Sequence, residues 1–161
     1  MRQETITLYK FDELPTESAK EVAREKGRQW IGIDFAWRDE SRESIERFCS
    51  EFGAMLKDWS VGAYSPIDYS HNADNENFRG RKLREFKRDA MPTGYCLDCA
   101  LWQTFYDEFK RTGSAKKAFD AALWAGFKEW RDDLENQLSD EYIDDFLTAN
   151  EYEFTEAGTI H

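Results

Sequence analysis

The sequence predicts an α+β fold, with about five helices packed against a small antiparallel sheet that includes a C-terminal hairpin. Three observations predict it. Apolar residues recur every three or four positions over five segments, which is the spacing of one helix face. Runs near the start and the end alternate polar and apolar residues, as half-buried strands do, and the middle holds two short strand-like runs. The chain has 161 residues, 40% hydrophobic and 16% aromatic, which suits one domain over 1–161 with a real core and argues against disorder.

The elements follow in order. Thr5-Ile6-Thr7-Leu8-Tyr9 alternates and reads as a strand. Pro15 biases Leu14 away from helix, and Thr16 can cap the next one. Ala19, Val22, Ala23, Trp30, Ile33 and Trp37 mark that helix, weakened at Gly27 and Gly32. A second helix spans about Ser41 to Phe52, with Ile45, Phe48, Cys49 and Phe52 on its stripe and Gly53 as its stop. The runs Leu56–Tyr64 and Pro66–Ser70 read as two short strands joined near Ser65-Pro66. From Tyr95 the pattern is helical through Leu97, Leu101, Phe105 and Phe109, ending at Thr112-Gly113. Ser114 caps a partner helix carrying Phe119, Ala122, Leu123, Phe127, Trp130, Leu134 and Leu138, so the two should form an antiparallel hairpin. Ser139 caps a short helix with Ile143, Phe146 and Leu147, and Asn150 suits a left-handed terminator. The tail Tyr152–Ile160 alternates around Gly158 and reads as a terminal hairpin.

Charge and composition exclude several classes. Lysine and arginine number 22 against 33 aspartates and glutamates, for a net charge of −11. A chain of that sign is a poor direct binder of nucleic acid or of anionic membranes. No apolar run approaches the roughly 18–20 residues that span a bilayer, and Met1–Thr5 lacks the apolar region of a signal peptide. A cytoplasmic protein is expected. Three cysteines are too few for a disulfide framework and read as reduced, partly buried thiols.

Residues that could carry chemistry are sparse. His71 lies in a polar loop, His161 is terminal, and no serine sits in G-x-S-x-G. Asp68 to Glu76 places oxygen ligands at alternating positions. However, Ala73 stands where a calcium loop needs glycine, and Arg79 where it needs a bidentate glutamate. Cys96-Leu97-Asp98-Cys99 offers half of a zinc site with no second half. No metal, cofactor or catalytic residue is assigned on these grounds. The run Arg79 to Arg88 holds six basic side chains against Glu85 and reads as an internal counter-charge to the acidic majority.

The acidic C-terminal third is the strongest feature. Residues 128–161 carry eleven carboxylates against Lys128 and Arg131, 2 − 11 = −9. Helical spacing sets Asp133, Asp140 and Asp144 off the apolar stripe, toward solvent, where like charges four apart oppose one another. A rigid acidic face of this kind resembles a phosphate backbone and can occupy a basic nucleic-acid groove. The expected partner-binding residues are Asp132, Asp133, Asp140, Glu141, Asp144 and Asp145, with Trp102 as an exposed aromatic anchor; Trp102 and Trp124 both lie off the main stripes, and either could serve. Trp30, Trp37, Trp124 and Trp130 are expected mostly in the core.

Three segments also resemble a known family. Leu8-Tyr9-Lys10-Phe11-Asp12-Glu13-Leu14-Pro15-Thr16-Glu17-Ser18-Ala19-Lys20 is similar to the opening of a family of small acidic phage and prophage proteins. Gly94-Tyr95-Cys96-Leu97-Asp98-Cys99, with Leu101-Trp102 and Phe105–Phe109, resembles its middle. Ser139-Asp140-Glu141 and Ala149–Gly158 resemble its ending, with Ala157 where the family has an Asp-Gly turn. Members are often labelled antitoxins of a toxin–antitoxin stability system. The resemblance carries over no catalytic residue. It implies an accessory protein acting in the bacterial host cytoplasm, and specifically a non-enzymatic counter-defence inhibitor of anti-CRISPR or anti-restriction type. Its partner would be a host defence complex with a basic surface. The alternatives are an antitoxin-like protein that sequesters a basic toxin and, further off, a small metal-dependent or thiol enzyme.

Overall fold

A computed structural model describes residues 6–82 and 93–161. The described residues are 60% helical and 8% strand, so the expected α+β class is corrected to a mainly helical protein with one small sheet. The helices are α1 (Glu17–Ile33), α2 (Arg38–Glu51), α3 (Cys96–Thr112), α4 (Ala115–Gln137) and α5 (Asp140–Ala149). The strands β1 (Leu56–Ser60) and β2 (Asp68–His71) pair antiparallel, with Trp59 opposite Tyr69 and an irregularity between Leu56 and Asp58. Short 3-10 turns cover Phe11–Glu13 and Asn75–Phe78.

The sheet is smaller than expected because its outer members lack a ladder. Tyr9 makes a single antiparallel bridge to Phe154, and Phe154 a single bridge to Ile160. The tail does turn back on itself, with Thr155 N–H donating to Thr159 O at 2.8 Å and Gly158 at φ +82°. One bridge is not a hairpin of strands, so the expected terminal hairpin is corrected accordingly. Thr5, the start of the expected first strand, lies outside the described residues.

The chain divides into two compact units, Met1–Ala36 with Asn136–His161, and Trp37–Glu135. In the first, Thr16 Oγ1 accepts the Ala19 N–H at 3.1 Å and starts α1, as its position predicts. The buried stripe of α1 is Ala19, Ala23, Gly27 and Ile31, spaced by four. Val22 and Ile33, expected on the stripe, are 44% and 79% exposed. The helix ends at Ile33 and does not continue to Trp37. α1 packs on α5 around Gly27, where a Cβ would stand 2.9 Å from Ile143 Cγ2. Phe11, Leu14, Leu147 and Phe154 complete this core. Ser139 Oγ caps α5 through the Tyr142 N–H. Asn150, the expected left-handed terminator, has φ −88°, and Glu151 takes the left-handed conformation at φ 55° instead. Gln137, 1% exposed, accepts the Ala36 N–H at 2.9 Å and donates to Ala36 O at 3.1 Å.

The second unit has an aromatic core. Phe48 stacks on Phe119 at 5.6 Å, and Phe52 meets Phe105 and Phe119 at 5.0 Å each. α3 and α4 are joined at Gly113, left-handed at φ 66°, with Ser114 Oγ accepting the Lys117 N–H. A Cβ on Gly126 would stand 2.5 Å from Leu101 Cδ2. Leu101 and Gly126 are nearly equidistant in sequence from the turn, so the pair is the antiparallel hairpin that the sequence predicts. The sheet lies on α4 through Tyr69 stacked on Phe127 at 4.5 Å and Trp59 against Trp130 at 5.0 Å.

Candidate binding surface

The expected partner-binding carboxylates fall in both units. Asp140, Glu141, Asp144 and Asp145 lie on α5 in the first, and Asp132 and Asp133 on α4 in the second. Several are already matched to cations of their own unit. Arg24, whose side chain is only 12% exposed, donates from Nε and Nη2 to the two oxygens of Asp144 at 2.7 and 2.9 Å and also reaches Glu17. Arg28 bonds Glu21 at 2.8 Å and Asp140. The Asp144 and Glu17 bonds raise the Arg24 pKa, and the Glu21 and Asp140 bonds raise that of Arg28. These pairs link α1 to α5; Asp140 stays exposed as expected, whereas Asp133 and Asp144, expected toward solvent, are half-buried. Asp132 pairs with Lys128 and Arg131, and the Lys128 bond holds its carboxyl below the ordinary range.

What remains on the first unit is nonetheless strongly acidic. It carries six basic and fourteen acidic side chains, a net of −8 out of −11. Among the described residues no ion pair reaches Glu141 or Asp145 on α5, and both are exposed. Asp12, Glu13, Asp34, Glu151 and Glu156 are exposed in the same way. In low-dielectric pairs charge cancels locally, whereas exposed carboxylates of one sign project a field over a Debye length of about 8–10 Å.

The tryptophans sort differently from expectation. Trp102 is 4% exposed, packed among Phe48, Phe52, Phe105 and Tyr106. It is therefore no surface anchor, and that reading is corrected. Trp130 is buried as expected and Trp37, expected in the core, is 58% exposed, while Trp124, the other off-stripe tryptophan, is 49% exposed. Spacing could not expose this, because Trp102 sits one position from Leu101 and both are buried in a core surrounding this part of α3.

A polar cluster joins the starts of α2 and α3 in the second unit. Trp37 and Tyr95 are the N-caps of the two helices, and neither offers a side-chain capping bond. Their rings stack with centroids 6.2 Å apart and planes 24° apart. The Tyr95 hydroxyl donates to Asp133 at 3.5 Å, and burial followed by the Asp133 charge pushes the phenol pKa up. Asp98, 1% exposed, accepts from Thr93 N–H, Thr93 Oγ1 and Gly94 N–H through Oδ2, each at 3.0 Å. Ser44 bonds Thr93 at 2.7 Å. This ties the loop before α3 to the side of α2. Cys96 and Cys99 are exposed rather than partly buried, whereas Cys49 is buried.

Other sequence candidates resolve into structure. The Asp68–Glu76 run is a strand and a turn, with Asp74 capping the Asn75–Phe78 turn through the Glu76 N–H. Among the described residues no group of three potential metal ligands occurs. His71 Nδ1 accepts the Ala73 N–H at 3.1 Å, which leaves the proton on Nε2, 3.6 Å from Asp120 Oδ1. The imidazole thus presents no basic nitrogen to a substrate. Of the basic run, Arg79 pairs with Glu76 at 3.4 Å and Arg81 donates to the Glu51 backbone carbonyl at 2.9 Å. Arg84, Lys87 and Arg88 lie outside the described residues. Among the described residues no helix is long and apolar enough to cross a membrane. No protein-family model, curated protein or solved structure matches the chain.

Proposed function

We propose that the chain is a non-enzymatic binding protein whose acidic surface occupies a basic, nucleic-acid-binding surface of another protein. The observation that carries this is the concentration of charge: −8 on one unit, with Glu141 and Asp145 exposed and outside any ion pair among the described residues. The α1–α5 ion pairs support it by fixing the helix that presents them. Carboxylates held on a packed helix mimic a phosphate row better than those on a flexible tail, since less side-chain and backbone freedom is lost on binding. The resemblance to phage and prophage proteins supports a target among host defence complexes of the bacterial cytoplasm, of the CRISPR or restriction type. Trp102 has no part in this reading, and Asp140 and Asp144 serve in it as supports of α5.

The test is affinity capture of the tagged chain from a bacterial lysate at low and high salt, alongside the double reversal Glu141→Lys/Asp145→Lys. Recovery of a nucleic-acid-binding complex at low salt, its loss at high salt and its loss with the reversed chain are expected. The reversed chain should stay folded with only a slightly lowered Tm, because neither residue supports the core and a lysine at 141 opposes the dipole only in the first turn of α5. Binding that survives both the reversal and high salt overturns the proposal, as does recovery of a single small toxin.

A further inference from the structure

Trp37 occupies a position that neither its backbone nor its burial favours. Its φ of 60° and ψ of 16° lie in the left-handed region, which a bulky side chain rarely enters. It stands at the N-cap of α2, where Ser, Asp, Asn or Gly would each fit better. Its side chain is 58% exposed, so core packing does not explain it. A strained, exposed aromatic residue held by its surroundings is a mark of a binding site. One face of the ring is backed by Tyr95, whose hydroxyl reaches Asp133. Elsewhere the chain covers its aromatic rings with its own cations, Lys26 over Trp30 at 5.7 Å and Arg81 over Phe52 at 5.5 Å. Among the described residues no cation lies over Trp37.

We propose that the open face of Trp37, backed by Tyr95, takes an arginine side chain of a protein partner. The indole is the strongest cation–π acceptor among side chains, and a guanidinium stacks flat on it. Tyr95 holds the ring from behind, so little freedom is lost when the guanidinium arrives. Asp39 and Glu40 in the first turn of α2 add negative charge beside it, opposed by Arg38. The inference rests on the reading of the chain as a binder of basic surfaces and names an aromatic site on the second unit, the role expected of Trp102.

The probe is a fluorescently labelled octa-arginine peptide, titrated into the full chain and followed by anisotropy. Trp37→Gly removes the ring and relieves the left-handed backbone. It should weaken binding about tenfold while leaving Tm no lower than that of the parent. Trp37→Phe should keep affinity within about threefold, because a ring remains. Trp37→Asn, which also tolerates this conformation, serves as a second removal of the ring should the glycine loosen the start of α2. Binding of both ring-less variants at the parent's affinity overturns the anchor, as does weakened binding that appears only with a lowered Tm. Retained binding by Trp37→Gly with loss by Glu141→Lys/Asp145→Lys overturns the anchor and leaves the acidic-surface proposal standing. The opposite pattern supports the anchor and removes that proposal.

Discussion

Cys49 lies fully buried on α2, and burial, followed by the nearby Glu46 charge, pushes its thiol pKa up to about 12. Cys96 and Cys99 share the first turn of α3 and face solvent. Thiolate fraction and access control reactivity, so Ellman's reagent should titrate two thiols in the folded chain and the third only after denaturation. His71 makes a second prediction. Burial, aided by the Lys116 charge and opposed by Asp120, lowers its pKa below the ordinary value. Below about pH 6.5 the unfolded chain binds this proton more readily than the folded one. Stability from this group is therefore complete above that pH and falls as the pH drops below it. His71→Asn keeps an acceptor for the Ala73 N–H, and its thermal melts should lose less stability between pH 7.5 and 5.5 than those of the parent. Residue roles were the least legible part of the sequence. Nothing in local spacing distinguishes Trp102 from Trp37, since burial there depends on Phe48, Phe52 and Phe105, which come from two different helices.

Helix starts were legible because single side chains mark them: Thr16, Ser114 and Ser139 each accept a first-turn N–H. The β1–β2 pair was legible from the turn at Ser65-Pro66, although β1 ends at Ser60 and β2 starts at Asp68, inside the expected runs. The outer strands were not, because a strand needs a partner of matching length, and Tyr9 and Ile160 share the single residue Phe154. The meaning of two glycines was also hidden. Gly27 reads as a weak point of α1, yet it is where α5 comes closest. Gly27→Ala would gain about 1 kcal/mol of helix propensity. The Cβ at 2.9 Å from the fully buried Ile143 introduces overpacking of about 1–3 kcal/mol, so a net loss of stability is expected. Gly158→Ala should be worse. It combines φ +82° with a Cβ 1.9 Å from the Ala19 carbonyl oxygen, a backbone atom that cannot rotate away. Denaturant melts should rank the two variants in that order, and a stabilised Gly27→Ala would mean that α1 and α5 pack less closely.

Across the whole molecule, the acidic surplus was legible in the sequence, but its partition was not. The sequence places −9 in residues 128–161, whereas Arg24 and Arg28, more than a hundred residues away, neutralise two of those carboxylates. The pairing depends on α1 lying beside α5, which no local pattern states. The electrostatic part of any association should therefore depend on Glu141 and Asp145 more than on Asp140 and Asp144. Charge reversal at the first pair should slow association at low salt with only a small loss of Tm, from the charge at the start of α5. Reversal at the second pair should lower Tm as well, because Arg24 and Arg28 would then face cations across the helix contact. The first unit is also discontinuous, with its N-terminal part and its C-terminal part separated by the whole of the second. On a ribosome, α1 emerges with its buried stripe uncovered and has no α5 to meet until the whole of the second unit has been made. The continuous second unit can close first, and the first closes over a long loop whose ends meet in the two hydrogen bonds between Gln137 and Ala36. The surface assigned to binding thus takes shape after the second unit, so a product stalled before α5 would display the second unit without it.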